Sequence, residues 1–290
     1  MSWKEYKMRK IILSTESVAD LPKEFIEKHQ IQIIPMHVIM DGKDYLESEL
    51  SVQDIFTYFK RTKKIPTTTA TNAQEYHNLF SKIRLNDPDS TIIHLGYTSK
   101  SSSSFQSAII AAKEFENLYL IDTLNVTGGL ATIVMYAVTL LEENPSIEPA
   151  SFVKKMEAIS AKTRFAFIPG GLDFLRAGGR VSGAAFIGGS LLKIKPSIEL
   201  KEGKLVPDKK YRGHMSHVAE KLMRDFLDKY DIDRKQLSLI YSLGLDEKIK
   251  INMEKLAKEH GFEQITWIQG GPTISTHAGT GCFGIAGIEN

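Results

Sequence analysis

Leu95-Gly96-Tyr97-Thr98-Ser99-Lys100-Ser101-Ser102-Ser103-Ser104-Phe105-Gln106-Ser107 joins an apolar run, Ile92–Leu95, to a helix through a loop of hydroxyls. The helix is read from Phe105, Ala108, Ile109, Ala112 and Phe115, whose three-and-four spacing lines one face. A strand–loop–helix junction of this kind gathers hydroxyl donors and free backbone N–H groups at the positive end of a helix, which suits an anion. A plainer reading has one serine capping the helix and the rest solvated.

Working outward, the alternation repeats. Ile11–Ser14 reads as a buried strand, left through Thr15-Glu16-Ser17-Val18-Ala19-Asp20-Leu21-Pro22. Asp20 or Ser17 is placed to cap a short helix around Pro22–His29. Ile31–Met40 reads as a second strand ending at the turn Asp41-Gly42-Lys43, and Ser51 caps a helix through Phe59. Thr67-Thr68-Thr69 precedes a helix beginning at Ala73, where it would serve as a capping run. Strand Ile92–Leu95, helix Ser104–Phe115, strand Leu118–Ile121 and helix Thr127–Leu141 complete a pattern expected of a parallel sheet covered on both faces. Ligands bind such sheets at loops leaving the carboxyl ends of the strands. The hydroxyl-rich loops Ser14–Ser17, Thr98–Ser104 and Asp122–Thr127 would share that rim.

After a helix ending near Ala161 the pattern changes, which places a boundary between residues 1–162 and 163–290. The second part carries a strand at Phe165–Ile168, a short helix at Gly171–Arg176 and a hairpin of Ile194–Lys201 with Leu205–Tyr211. A strand–helix–strand unit through Gln264–Ile268 follows, and a glycine-rich tail, Gly270–Gly281, closes it. The expected class is α/β in two domains, the first largely parallel, the second mixed.

Composition narrows the function. A net charge of +2 with no basic block speaks against nucleic acid. One cysteine, Cys282, excludes an internal disulfide and any multi-cysteine metal site. The charged first ten residues lack a signal-peptide core, and no apolar run is long enough for a membrane span, so a cytoplasmic protein is expected. Gly279-Thr280-Gly281-Cys282-Phe283-Gly284 spells a dinucleotide fingerprint but lacks the strand–helix–strand context that would give it meaning. His214 and His217 have no partner spaced to complete a metal set. What remains is Thr67–Thr69, Ser99–Ser104, Arg180 in a glycine turn, and His277. Hydroxyls with a neutral imidazole suit a carboxylate, and the set lacks a nucleophile–base pair. Binding fits it better than turnover.

In order and spacing these stretches resemble the DegV family, the fatty-acid-binding proteins that present acyl chains to a bacterial fatty acid kinase in phospholipid synthesis. Ser17-Val18-Ala19-Asp20-Leu21-Pro22 is similar to the end of its D-S-x-x-D-L-P, with Thr15 and Glu16 departing from the pattern. Thr68-Thr69-Ala70-Thr71-Asn72 stands where the family has T-S-Q-P-S, and Thr98–Ala108 stands at S-S-x-L-S-G-T-Y-Q-S-A. Asp122-Thr123 with Gly128-Gly129-Leu130 resembles its D-S…G-x-G. Leu175–Val181 resembles L-x-x-G-G-R-I, Gly189–Pro196 resembles G-x-L-L-x-I-K-P, and His277–Gly281 resembles H-x-G-P-G with Thr280 for proline.

The resemblance implies one long-chain fatty acid, palmitate-like or oleate-like, in a tunnel between two α/β domains. Its carboxylate would be held by Thr68, by Ser99 or Ser102, and by His277, with Arg180 in support. Arg212 would contact the kinase, and a transient contact with a membrane surface would accompany ligand exchange. No cofactor, metal, nucleic acid or catalytic residue is implied. Two rivals stand beside this carrier: a lipid-responsive sensor, and a hydrolase or phosphotransferase using the Ser99–Ser104 loop with His277 as base.

Overall fold

The computed structural model describes residues 10–181 and 194–290. Its first sheet holds β1 (Ile11–Glu16), β2 (Gln32–Ile34), β6 (Thr91–Gly96) and β7 (Leu118–Asp122) in the order β2-β1-β6-β7, all parallel. β6 is buried along its whole length, as a strand covered on both faces must be. Its neighbouring isoleucines divide the work because successive side chains point to opposite faces. Ile92 packs with Tyr76 and Phe80 of α3 (Ala73–Asn86) and Ala108 of α4 (Ser104–Ala112). Ile93 and Leu95 pack with the cluster built around α5 (Thr127–Glu143).

α5 is apolar on nearly every side and lies between two sheets. Beyond it stands a six-stranded sheet of β8 (Thr163–Ile168), β9 (Ile194–Lys201), β10 (Lys204–Arg212), β11 (Gln236–Tyr241), β12 (Gln264–Gln269) and β13 (Phe283–Ile288). Its order is β10-β9-β8-β13-β11-β12, antiparallel except for β11 with β12. Thr132 of α5 hydrogen-bonds Ser238 of β11 at 2.7 Å, so even the polar atom on this helix is satisfied across the seam. α8 (Met215–Lys229) and α9 (Glu247–Glu259) cover the outer face of the six-stranded sheet.

Several expectations are corrected here. Ile31–Met40 is two strands, because Pro35 cannot donate to a ladder. β2 stays in the parallel sheet, while β3 (His37–Met40) turns into a small antiparallel sheet with β4 (Lys43–Leu46) and β5 (Thr67–Thr69). Thr67–Thr69 is therefore a strand; the helix after it is capped by Asn72 and Glu75, each bonding the other's backbone N–H. The helix after Pro22 starts without a side-chain cap, and Ser17 and Asp20 are committed elsewhere. The glycine-rich tail contains a seven-residue helix, α10 (Pro272–Ala278), and leads into β13, a central strand of its sheet. Of the Gly189–Pro196 motif, residues 189–193 lie outside the described residues. No helix among the described residues is long and apolar enough to cross a membrane.

Candidate head-group pocket and apolar cavity

The rim of the parallel sheet gathers the loops after β1, β6 and β7, and two later pieces close over it: the turn after α7 (Leu172–Gly178) and α10. Between them lies a pocket of about 100 Å³ lined by Thr68, Thr69, Tyr97, Ser101–Ser103, Arg180, Thr273, Ile274 and His277. Behind it is a second cavity of about 50 Å³ with walls from Val126, Phe165, Phe167, Leu175, Leu205, Ile240 and Cys282. Tyr97, Arg180, Ile274 and His277 line both. In front, an open groove of about 870 Å³ runs over Ser99–Ser103, Phe105, Ile109, Asp122 and Arg180. The order from surface to core is thus groove, polar pocket, apolar cavity.

His277 is the hinge of this arrangement. Its Nε2 is 2.9 Å from Thr68 Oγ1, a hydrogen bond spanning 209 residues of sequence. Its Nδ1 is buried without a partner among the described residues and packs against Gly178, where a Cβ would stand 2.2 Å from it. Gly178, the first of the two glycines in that turn, is therefore glycine so that the ring can sit there. Burial lowers the His277 pKa to about 4, with the Arg180 charge pushing the same way. The imidazole is neutral at pH 7 and can donate one hydrogen bond without adding a charge.

The pocket is short of partners. Five buried side-chain polar atoms lack one among the described residues, and three of them, Ser101 Oγ, Thr273 Oγ1 and His277 Nδ1, belong to residues that line this single pocket. Thr273 Oγ1 leans toward Glu47 and helps hold that carboxylate down, which leaves Ser101 and His277. An unsatisfied buried polar group costs about 1–3 kcal/mol, so such atoms seldom gather without a polar guest to receive them.

The other expected residues fall as follows. Thr68 and His277 come together. Ser102 lines the pocket, but its Oγ is shared with Ser104, hydrogen-bonded to Ser104 Oγ at 2.9 Å and accepting from its N–H at 3.1 Å. Ser99 is exposed in the outer groove, donating its N–H to Asp122. Arg180 donates to the Gly178 carbonyl at 2.8 Å while lining groove, pocket and cavity. Arg212 ends β10, exposed and outside all three. Thr71 and Ser104 do not line the pocket and tie their loops to Pro35 and Met36.

Sequence reasoning passed over Tyr97, Thr273 and Ile274, and took Ser101 only as part of the Ser99–Ser104 run. Ser101 had a signal, since it is a hydroxyl where the pattern L-S-G-T carries leucine. The hydroxyl on His277 belongs to Thr68 rather than to a loop serine, and no carboxylate orients Nδ1, so the geometry of a hydrolytic triad is not met here. No group of three or more His, Cys, Asp or Glu able to hold a metal occurs among the described residues.

A sequence profile described as an uncharacterised protein of the DegV family matches residues 10–290. A DegV domain-containing protein of Clostridium acetobutylicum is 30% identical over 289 residues, spanning 97% of this chain and 99% of its own. A fatty acid-binding protein of Thermotoga maritima is 27% identical over 290 residues, spanning 97% and 98%. A solved structure described as fatty acid binding of a DegV family protein from Thermus thermophilus superposes with a TM-score of 0.86 at 25% identity, covering 97% of this chain and all of that one.

Proposed function

The chain belongs to the DegV family, and from that premise we propose that it is a cytoplasmic, non-catalytic carrier of one long-chain fatty acid. The acyl tail occupies the apolar cavity between the two sheets, and the carboxylate sits in the polar pocket against Thr68, His277 and the serine loop. One observation carries this reading: Tyr97, Arg180, Ile274 and His277 are shared by a polar pocket and an apolar cavity lying end to end. Only an amphiphile fills both. Each buried methylene contributes about 0.8 kcal/mol, so the tail supplies the affinity and the head group needs only orientation by neutral donors. The cavity of about 50 Å³ is well below the roughly 300 Å³ at which small-molecule sites begin. The tail therefore enters by parting the side chains that line it.

The carboxyl end faces the outer groove through Ser101–Ser103 and Arg180. We read that groove as the side from which a fatty acid kinase reaches the carboxylate to form the acyl phosphate, with Arg212 among its contacts. The seam at residues 162/163, where the six-stranded sheet begins, is taken as the boundary between two domains that hold the ligand.

Native mass spectrometry of the purified protein, followed by organic extraction, tests the carrier. A one-to-one mass increment matching a C16–C18 acid is expected. A protein that arrives without it and takes up neither palmitate nor oleate would overturn the reading.

A further inference from the structure

The stretch Ser17–Pro22 has a role that capping does not explain. Asp20 Oδ1 accepts from the Gly271 N–H at 2.8 Å and its Oδ2 from Thr127 Oγ1 at 2.5 Å. Glu47 Oε1 accepts from the Thr273 N–H at 2.9 Å, and its Oε2 from Ser17 Oγ, which in turn accepts from Met36 N–H at 3.0 Å. Two carboxylates from the first fifty residues, Glu47 buried and Asp20 half-buried, thus hold the first turn of a helix near residue 270. They straddle one Cα: a Cβ on Gly271 would lie 2.8 Å from Asp20 Oδ1 and 2.9 Å from Glu47 Oε1. The arrangement is expensive. Burial drives both carboxyls above the usual carboxylate range, and Asp20 further because of the Glu47 charge beside it.

What this fixes is α10, which carries Thr273, Ile274 and His277 into the site. His277 lies one helical turn after Thr273, so tilting the first turn moves the imidazole relative to Thr68. The other end of α10 is held separately, by Gly170 and Gly171 N–H groups on the Ala278 carbonyl.

We propose that Asp20 and Glu47 are positioning residues for the ligand site, clamping the first turn of α10 from the loop after β1 and the segment after β4 so that His277 meets Thr68. The proposal rests on the fatty acid reading for its affinity readout but has a second readout that does not. In the full-length protein, Glu47→Ala should weaken palmitate binding about tenfold, equivalent to 1.4 kcal/mol. Glu47→Gln should recover most of that, since its carbonyl still accepts from Thr273 N–H. In a His277→Ala background the Glu47→Ala effect on affinity should shrink to under about twofold, because coupled groups are not additive. By NMR, the His277 titration should move from about 4 toward the ordinary 6.5 in Glu47→Ala.

An unchanged His277 titration with an unchanged palmitate affinity would overturn the proposal even if thermal stability fell. So would an undiminished affinity loss in the His277→Ala background. If the wild-type protein binds no palmitate, the fatty acid reading fails instead, and the His277 titration still decides whether the carboxylates position the ring.

Discussion

Ser14–His94 and Thr68–His277 each set a histidine beside a hydroxyl inside the molecule, and their surroundings differ. Ser14 Oγ is 3.0 Å from His94 Nδ1, and His94 Nε2 is 3.3 Å from Glu16 Oε1, all three side chains at 0% exposure. Tyr76 donates to Glu16 at 2.6 Å and the Tyr97 N–H at 2.9 Å, so the network is closed. On paper Ser14–His94–Glu16 has the order of a catalytic triad, but no solvent reaches it and β1 and β6 carry it between their helices. At Thr68–His277 there is no carboxylate on the ring, one nitrogen has no partner, and a cavity stands on either side. Satisfaction marks structure; a shortage of partners marks a place for a guest. Burial separates them only in part, since His94 is fully buried and His277 partly so.

The difference can be broken most forcefully at the closed network. His94→Ala takes a partner from the buried carboxylate of Glu16 and should cost about 3–5 kcal/mol, as leaving a buried carboxylate short of a partner does. Urea unfolding measures it, and a loss below about 1 kcal/mol would mean the network is not what holds β1 to β6. At the open site the effects exchange places. Thr68→Val keeps the shape of the side chain and removes its hydroxyl, so stability should change by no more than about 1 kcal/mol while palmitate affinity falls about tenfold by calorimetric titration.

Acid titration separates the two regions by the pH window in which each is lost, not by sign. His277 has a folded pKa lowered to about 4 from 6.5, so its contribution is present above 6.5 and lost as pH falls toward 4. Glu16 is pushed up by burial but held below its usual value by His94, Tyr76 and the Tyr97 N–H, so its contribution is lost only as pH falls through that lower value. Asp20 and Glu47, both raised, act oppositely: their stabilisation is present at low pH and lost as pH rises through their folded values. Stability curves of His277→Ala against wild type should converge between pH 6.5 and 4, and parallel curves there would contradict the neutral buried ring. The smallest effect is expected at Ser101→Ala. Removing an unpartnered hydroxyl should leave stability unchanged or slightly higher while affinity drops about threefold.

The alternation that gives the parallel sheet was legible because Ile92–Leu95 and α5 are apolar runs of the right lengths and α3 and α4 carry apolar faces between them. β13 was not, because Phe283-Gly284-Ile285-Ala286-Gly287-Ile288 is half small residues and gains its place only by pairing with β8 and β11. α10 hid for a related reason: Pro272-Thr273-Ile274-Ser275-Thr276-His277-Ala278 has poor helix propensity and is held by Asp20, Glu47 and Gly170 rather than by its own sequence. Thr68 and His277 were each visible as candidates, but their bond crosses the whole chain and no local pattern encodes it. Ser101 stood out only as a hydroxyl where the family pattern carries leucine; within a run of four serines nothing else local tells which hydroxyl lacks a partner.

The most direct measurement is carbon-13 NMR of [1-13C]palmitate bound to the wild-type protein, Thr68→Val and His277→Ala. A single protein-bound carboxyl resonance, insensitive to pH between 6 and 8 and displaced in both variants, is the predicted result. A bound resonance that neither substitution moves would contradict the assignment of the carboxylate to this pocket.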